Sequence, residues 1–278
     1  MKTVTLSLIF SLATTTLFSV QSTAEDICSG FGPQTPRDID NIAGTNKRIF
    51  SLAPSATEMN LCNIHFHVNA EHKAKDFSIF AGNNTGHYPT GHSRSHDAHA
   101  EAGGYQCLSS KSLSSAELAL PKTNHCQGIK PGDTIEVHWV HSSCDIKPGK
   151  SLGACLSDTC ANPNLRVETQ VFTVVNNPSA TSFADFIYAG NIKNGYHQAK
   201  SLPSVTGTPV EFLGSTTGPK YTQQKCSPME VSWSVRPRCM KIDIHSLSNW
   251  CQSNVFEEDH AHGVRKLVVD PKLLSEIK

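Results

Sequence analysis

Charge of either sign is scarce in this 278-residue chain, and neither sign prevails. Lys and Arg number 24, Asp and Glu number 24, and together they make up 17% of the residues. No basic run breaks the balance, which excludes the cationic face that a nucleic-acid or anionic-membrane binder needs. Beyond the N-terminus no apolar stretch is long enough to span a bilayer. Internal repeats are absent, helical periodicity is rare and no domain boundary stands out. What the chain has in excess is 14 His and 10 Cys. Ten cysteines point to metal or redox chemistry in a cytosolic protein and to disulfides in an exported one.

The N-terminus decides between these. Met1-Lys2 is a minimal positive region, and Val4 to Val20 is uncharged and rich in Leu, Ile, Phe and Val. Ser22-Thr23-Ala24 then places small residues before Glu25, as a cleavage site requires. Residues 1–24 therefore read as a secretory signal peptide. A membrane anchor is the competing reading, weakened by the Ser and Thr that dilute the stretch. All ten cysteines lie beyond it, so the expectation is an exported protein, periplasmic or secreted, with disulfides and no membrane segment in its mature form. Cys144, Cys155 and Cys160 share one loop and Cys226, Cys239 and Cys251 cluster near the C-terminus. Local pairings suit that spacing, but the connectivity stays open.

Residues 25–278 fit a single domain. Strand signals dominate it: Leu61 to Val68, Thr134 to His141, Leu165 to Val175 and Glu230 to Val235, with weaker ones at Lys241 to Ile244 and Lys266 to Val269. Ser112 to Ala119 and a turn after Pro271 are the helical signals. Long Gly-, Pro-, Ser- and Asn-rich segments, notably 81–104 and 191–221, connect them. The fold class expected is mainly β (β-rich α+β): a central, largely antiparallel twisted sheet, few short helices and long disulfide-linked loops.

The histidines supply the chemistry. In His65-Phe66-His67, residues i and i+2 of a strand face one way, so both imidazoles reach one side of a sheet. By itself this is equally two strand histidines without a metal. On Thr134 to His141, Glu136, His138 and Val140 share a face, and His141 takes the other. His138 from a paired strand would complete three nitrogen ligands, leaving a fourth tetrahedral position open, the arrangement of catalytic rather than structural zinc. The competing reading of His138 is a buried core histidine. Glu136 is placed to accept the second ring proton of a ligating histidine, and Asn63 that of His65, and so to fix their tautomers. Three imidazoles would also accept Co2+ or Cd2+ in place of Zn2+.

Asn63-Ile64-His65-Phe66-His67, then Glu71-His72, then Glu136-Val137-His138-Trp139-Val140-His141 occur in the order and style of α-class carbonic anhydrases. The apolar strand from Arg166 to Val175, the loop Gly214-Ser215-Thr216-Thr217-Gly218-Pro219 and Val231-Ser232-Trp233 follow in register. The wording is closer still to δ-class carbonic anhydrases: Cys62 to His67 with Ala70-Glu71-His72-Lys73, Gly104-Tyr105-Gln106-Cys107, and Val137 to Cys144. The resemblance spans roughly Cys62 to Val235. Two departures are evident. The threonine loop lacks the family's Leu and has Gly218 where a first Pro is usual, and the α-class Asn-Gly-His segment that carries the proton shuttle has no counterpart before His65.

The resemblance implies an α-carbonic-anhydrase-like fold and reversible hydration of CO2 to bicarbonate at one Zn2+ per chain, by metal-bound hydroxide. The ion would be held by His65, His67 and His138. It further implies that Thr216 and Glu71 form a catalytic pair, that Val140 and Trp233 line an apolar pocket for CO2, and that Thr217 meets bicarbonate; for Glu71 a surface charge is the competing reading. The loop histidines His87, His92, His96 and His99, with His72, are candidate proton shuttles, since imidazoles titrate near neutrality. The loop reads equally as solvated or as a weak secondary metal site, and His72 as support for Glu71. The rival function is an exported zinc-binding or zinc-delivery protein using the His-rich loop. A zinc hydrolase is disfavoured, because His-x-His-x-Asp-His and His-Glu-x-x-His are both absent.

Overall fold

The computed structural model of the chain describes residues 31–35, 38–41, 44–46, 50–82, 103–216, 226–264 and 268–277. The leader read over 1–24, Thr217 and the loop histidines His87, His92, His96 and His99 lie outside them. In chain order the strands are β1 (Asn60–Val68), β2 (Ile79–Phe80), β3 (Tyr105–Gln106), β4 (Thr134–Ser142), β5 (Leu165–Val175), β6 (Ile192–Lys193), β7 (Tyr196–His197), β8 (Val210–Ser215), β9 (Glu230–Val235) and β10 (Met240–Asp243). Among the described residues there is one α-helix, α1 (Ile244–Gln252), which follows β10.

A single mixed sheet organises the molecule, in the order β1-β4-β5-β9-β8, with β10 also on β5. The pairings β1–β4, β4–β5 and β8–β9 are antiparallel. β9 and β10 both run parallel to β5, β9 along Leu165 to Thr169 and β10 along Phe172 to Val175. The long apolar run of β5 makes this possible, because a strand buried on both faces can occupy the middle of a sheet.

Alternation on the central strands divides the core in two. Ile64, Phe66, Ile135, Val137 and Trp139 point to one face, where they pack with Phe172, Val174 and the Ile244, Leu247 and Trp250 stripe of α1. Val140, Val167, Val171, Phe212 and Trp233 form the second core on the opposite face. Asn63, His65, His67, Glu136 and His138 share this second face, so the polar residues sit at the edge of an apolar floor.

Three segments differ from their sequence signals. β8 occupies part of a segment that reads as loop; its side chains pair across to β9, and the strand is recruited by its neighbour. Ser114 and Glu117 form the reciprocal bonds of a capping box, yet only a turn follows, because Pro121 stops propagation and a single turn is not stable alone. In the weak strand signal 266–269, Val268 and Val269 are irregular, and residues 266 and 267 lie outside the described residues. The helix α1 gave little sequence signal, being rich in Ser; Asp243 caps it by accepting from Ser246 N–H at 3.1 Å.

Disulfides join Cys62 to Cys155, Cys107 to Cys239, Cys126 to Cys251 and Cys144 to Cys160. Of these four, Cys144–Cys160 is the local one, and the other three tie segments 93 to 132 residues apart. Cys226 is disulfide-bonded as well, and no described cysteine is free. Such cross-linking fits an oxidising compartment. Among the described residues no helix is long and apolar enough to cross a membrane.

Candidate metal centre

Strand register assembles the site. His65 lies opposite His138 in the β1–β4 pairing, and His67 lies opposite Glu136. The rings of His65, His67 and His138 are therefore mutual neighbours, with centroids 5.0 to 5.3 Å apart. One nitrogen from each falls within a group whose members lie within 4.8 Å of one another. His67 and His138 are buried and His65 is half-buried.

Each ring has its second nitrogen held by an oxygen. Asn63 donates its amide to the Gly149 carbonyl at 3.1 Å, which turns its Oδ1 toward His65. His65 Nδ1–H then donates to that oxygen at 2.7 Å. His138 Nε2–H donates to Glu136 Oε1 at 2.7 Å, and His67 Nδ1–H donates to the Gly263 carbonyl at 3.3 Å. The unprotonated nitrogens are thus Nε2 of His65, Nε2 of His67 and Nδ1 of His138. Two of these, His138 Nδ1 and His65 Nε2, stand 3.2 Å apart. Facing lone pairs at that distance repel unless a cation or a proton lies between them. The spacing also suits one edge of a tetrahedron around an ion bound at about 2.0–2.1 Å, the usual zinc–imidazole length. The donor set therefore fits zinc.

Glu136 connects this cluster to a second histidine. It is fully buried and accepts from His138, from His72 Nδ1–H at 2.7 Å and from the His72 backbone N–H at 3.1 Å. Burial alone pushes its carboxyl up, but the adjacent His72 charge and the bonds from His138 and His72 prevail and hold it well below the usual carboxylate range. His72 is itself fully buried. Glu71 is buried too, with Oε1 3.5 Å from His67 Nδ1.

Trp233 closes one side. Its ring meets His138 edge-on at 5.2 Å and lies 5.1 Å from His72, and its Nε1–H donates to the Ser215 carbonyl at 3.3 Å. Val140 is buried in the same apolar cluster. Thr216 is buried, and its hydroxyl is 2.7 Å from that of Ser227. His141 faces away, as alternation requires, in the opposite face of β4. It is fully buried, and its Nδ1–H donates to the Trp139 carbonyl at 3.0 Å. Burial outweighs that bond, and with the nearby Arg166 charge it lowers His141 to about 4.

Sequence reasoning passed over His262 and Glu258. His262 pairs with His67 as a parallel bridge on the outer side of β1, and its ring lies 5.7 Å from both His65 and His67. The available signal was a second His-x-His, His260-Ala261-His262.

A family model described as delta carbonic anhydrase matches residues 56–246. A comparison with curated protein sequences finds no match. Among solved structures, the chain is similar to a hyperthermostable carbonic anhydrase from an active hydrothermal vent chimney, at 16% identity and a TM-score of 0.34, over 94% of this chain and 95% of that one. It is also similar to the alpha-carbonic anhydrase of Thermovibrio ammonificans in complex with sulfanilamide, at 16% identity and a TM-score of 0.27, over 84% of each chain. The family match covers most of the chain; the structural likenesses are too distant to add to it.

Proposed function

Since the chain belongs to the delta carbonic anhydrase family and is an enzyme of that class, we propose that it interconverts CO2 and bicarbonate at a zinc ion held by His65, His67 and His138. The observation that carries this reading is the pair of ring nitrogens, His138 Nδ1 and His65 Nε2, 3.2 Å apart within a cluster of three imidazoles. When bound, zinc supplies Lewis acidity that makes water a competent nucleophile near neutral pH.

The chain's own residues do the rest. Asn63, Glu136 and the Gly263 carbonyl fix which nitrogen of each histidine carries the proton, so that all three lone pairs converge. The ionised Glu136 adds negative charge beside a dicationic site. Val140 and Trp233 offer an apolar wall to a substrate with little to hydrogen-bond, and they exclude competing water. Glu71, beside His67, and Thr216 are the proposed pair that orients the attacking oxygen. Thr216 would exchange its Ser227 partner to act there. Export through the segment 1–24 agrees with the disulfides.

Stopped-flow CO2 hydration with zinc-loaded protein tests the reading, together with zinc counting on wild type and His138→Ala. Wild type should carry one zinc per chain and accelerate hydration, and His138→Ala should lose both. A wild type that holds one zinc yet hydrates CO2 no faster than the variant would overturn the assignment.

A further inference from the structure

β1 is the end strand of its sheet, so its outer backbone groups need partners from outside the sheet. The segment that follows α1 supplies them. The His262 backbone N–H donates to the Phe66 carbonyl at 2.9 Å, and Val68 N–H donates to the His262 carbonyl at 2.8 Å. These two bonds bracket His67. They also bring Gly263 alongside it, where its carbonyl accepts from His67 Nδ1–H at 3.3 Å, nearer than Glu71 Oε1 at 3.5 Å. The corresponding bonds behind His65 and His138 are 2.7 Å and come from side chains of β1 and β4 themselves. His67 is thus the ligand whose orientation depends on how a separate segment is docked.

One side chain completes the docking. Glu258 is buried, and its Oε1 accepts from Phe66 N–H at 3.2 Å, taking the place that a neighbouring strand's carbonyl would fill. The same oxygen lies 3.0 Å from His262 Nε2, with Oε2 at 3.3 Å. A single carboxylate therefore ties the edge of β1 to the ring of the docked residue. It is held in turn by Asn254, whose side chain accepts from Glu258 N–H at 3.1 Å and donates to the Glu258 carbonyl at 2.8 Å. The preceding residue, Glu257, has a left-handed φ of 53°, a conformation that costs energy in any residue but Gly. That turn leaves Glu257 exposed and Glu258 buried.

We propose that Glu258 is a positioning residue of the metal centre, an inference that rests on the metal reading above. By spanning Phe66 N–H and the His262 ring, it fixes the segment 258–263 against β1 and so keeps the Gly263 carbonyl behind His67. Its reach matters more than its charge, because both contacts are donors that a neutral amide oxygen also accepts. The role needs an oxygen at that distance and no movement of the His262 ring.

Two substitutions in the full-length protein separate reach from charge. Glu258→Gln keeps the length and an acceptor oxygen but loses the charge. Glu258→Asp keeps the charge and is one methylene too short to make both contacts. Chelator competition measures zinc affinity, and the visible spectrum of cobalt-loaded protein reports the geometry around the ion. Glu258→Asp should bind zinc about 10- to 100-fold more weakly, the usual range for a partner behind a ligand, with an altered cobalt spectrum. Glu258→Gln should stay near wild type in both. Asp259→Ala, which removes the half-exposed carboxylate next in sequence, should match wild type. Wild-type affinity and spectrum in Glu258→Asp overturn the proposal. So does an equal loss in Glu258→Gln or Asp259→Ala, which would assign the effect to charge. Each of these leaves the three-histidine site standing, whereas a wild type that takes up neither metal overturns both readings.

Discussion

Each clustered imidazole has an oxygen behind its second nitrogen, which fixes the nitrogen it presents to the site. Glu136 is the most consequential of these oxygens, because its carboxylate holds His138 and His72 at once, both at 2.7 Å. Replacing it removes a tautomer lock and a buried charge together. Glu136→Gln should weaken zinc binding by about 10- to 100-fold, the usual cost of altering a partner behind a ligand, as measured by chelator competition. Unchanged affinity would show that His138 is oriented by packing against Trp233 alone. The His72 ring, buried against Trp233 and Phe212, extends the same network into the apolar floor.

At the scale of the element, β1 does more than alternate. Its register shifts between Leu61 and Asn63, a bulge of the kind that re-aims side chains beside functional sites. Past the bulge Asn63, His65 and His67 all face the site. The strand is followed by Asn69, whose φ of 61° is left-handed, a conformation that Asn tolerates and β-branched residues do not. This turn redirects the chain so that Glu71 and His72 come back under the histidines. Gly104 permits the return, since a Cβ there would meet the Ala70 carbonyl at 2.5 Å. Asn69→Gly should therefore be nearly neutral, whereas Asn69→Val should cost about 1–3 kcal/mol of stability, read from urea denaturation. Equal losses in the two variants would assign the role of Asn69 to its side-chain bond with the Gly103 carbonyl instead of to its backbone.

Across the whole molecule, acid should weaken the fold through His141. Its folded value of about 4 lies below the ordinary 6.5, so the unfolded chain binds the extra proton between those values. Its stabilising contribution is complete above pH 6.5 and is lost as pH falls toward 4. The full span corresponds to about 3 kcal/mol. Urea denaturation of metal-free protein at pH 7 and pH 5 should show a steeper loss for wild type than for His141→Leu. His141→Leu leaves the other ionisable groups in place, so the difference between the slopes isolates His141; parallel slopes would refute the account. The disulfides act at this scale as well: among the described ones, three join distant segments, and two of those tie α1 and the residue preceding β10 to the segment between β3 and β4.

The strands β4, β5 and β9 were legible from alternation and β-branched residues, because a half-buried strand writes its period of two into local sequence. For the same reason the sequence by itself determined which residues of β1 and β4 share a face, and hence the identity of three imidazoles with Asn63 and Glu136 behind two of them. β8 and α1 were not legible, because their stability comes from partners rather than from their own composition. Tertiary structure alone decided the register that sets His65 against His138, 73 residues away, and the disulfide connectivity. It alone brought Gly263, 196 residues from His67, behind that ring, with His262 beside it. Contacts of that kind arise from hydrogen-bonded pairing and packing between distant segments, which no local pattern encodes.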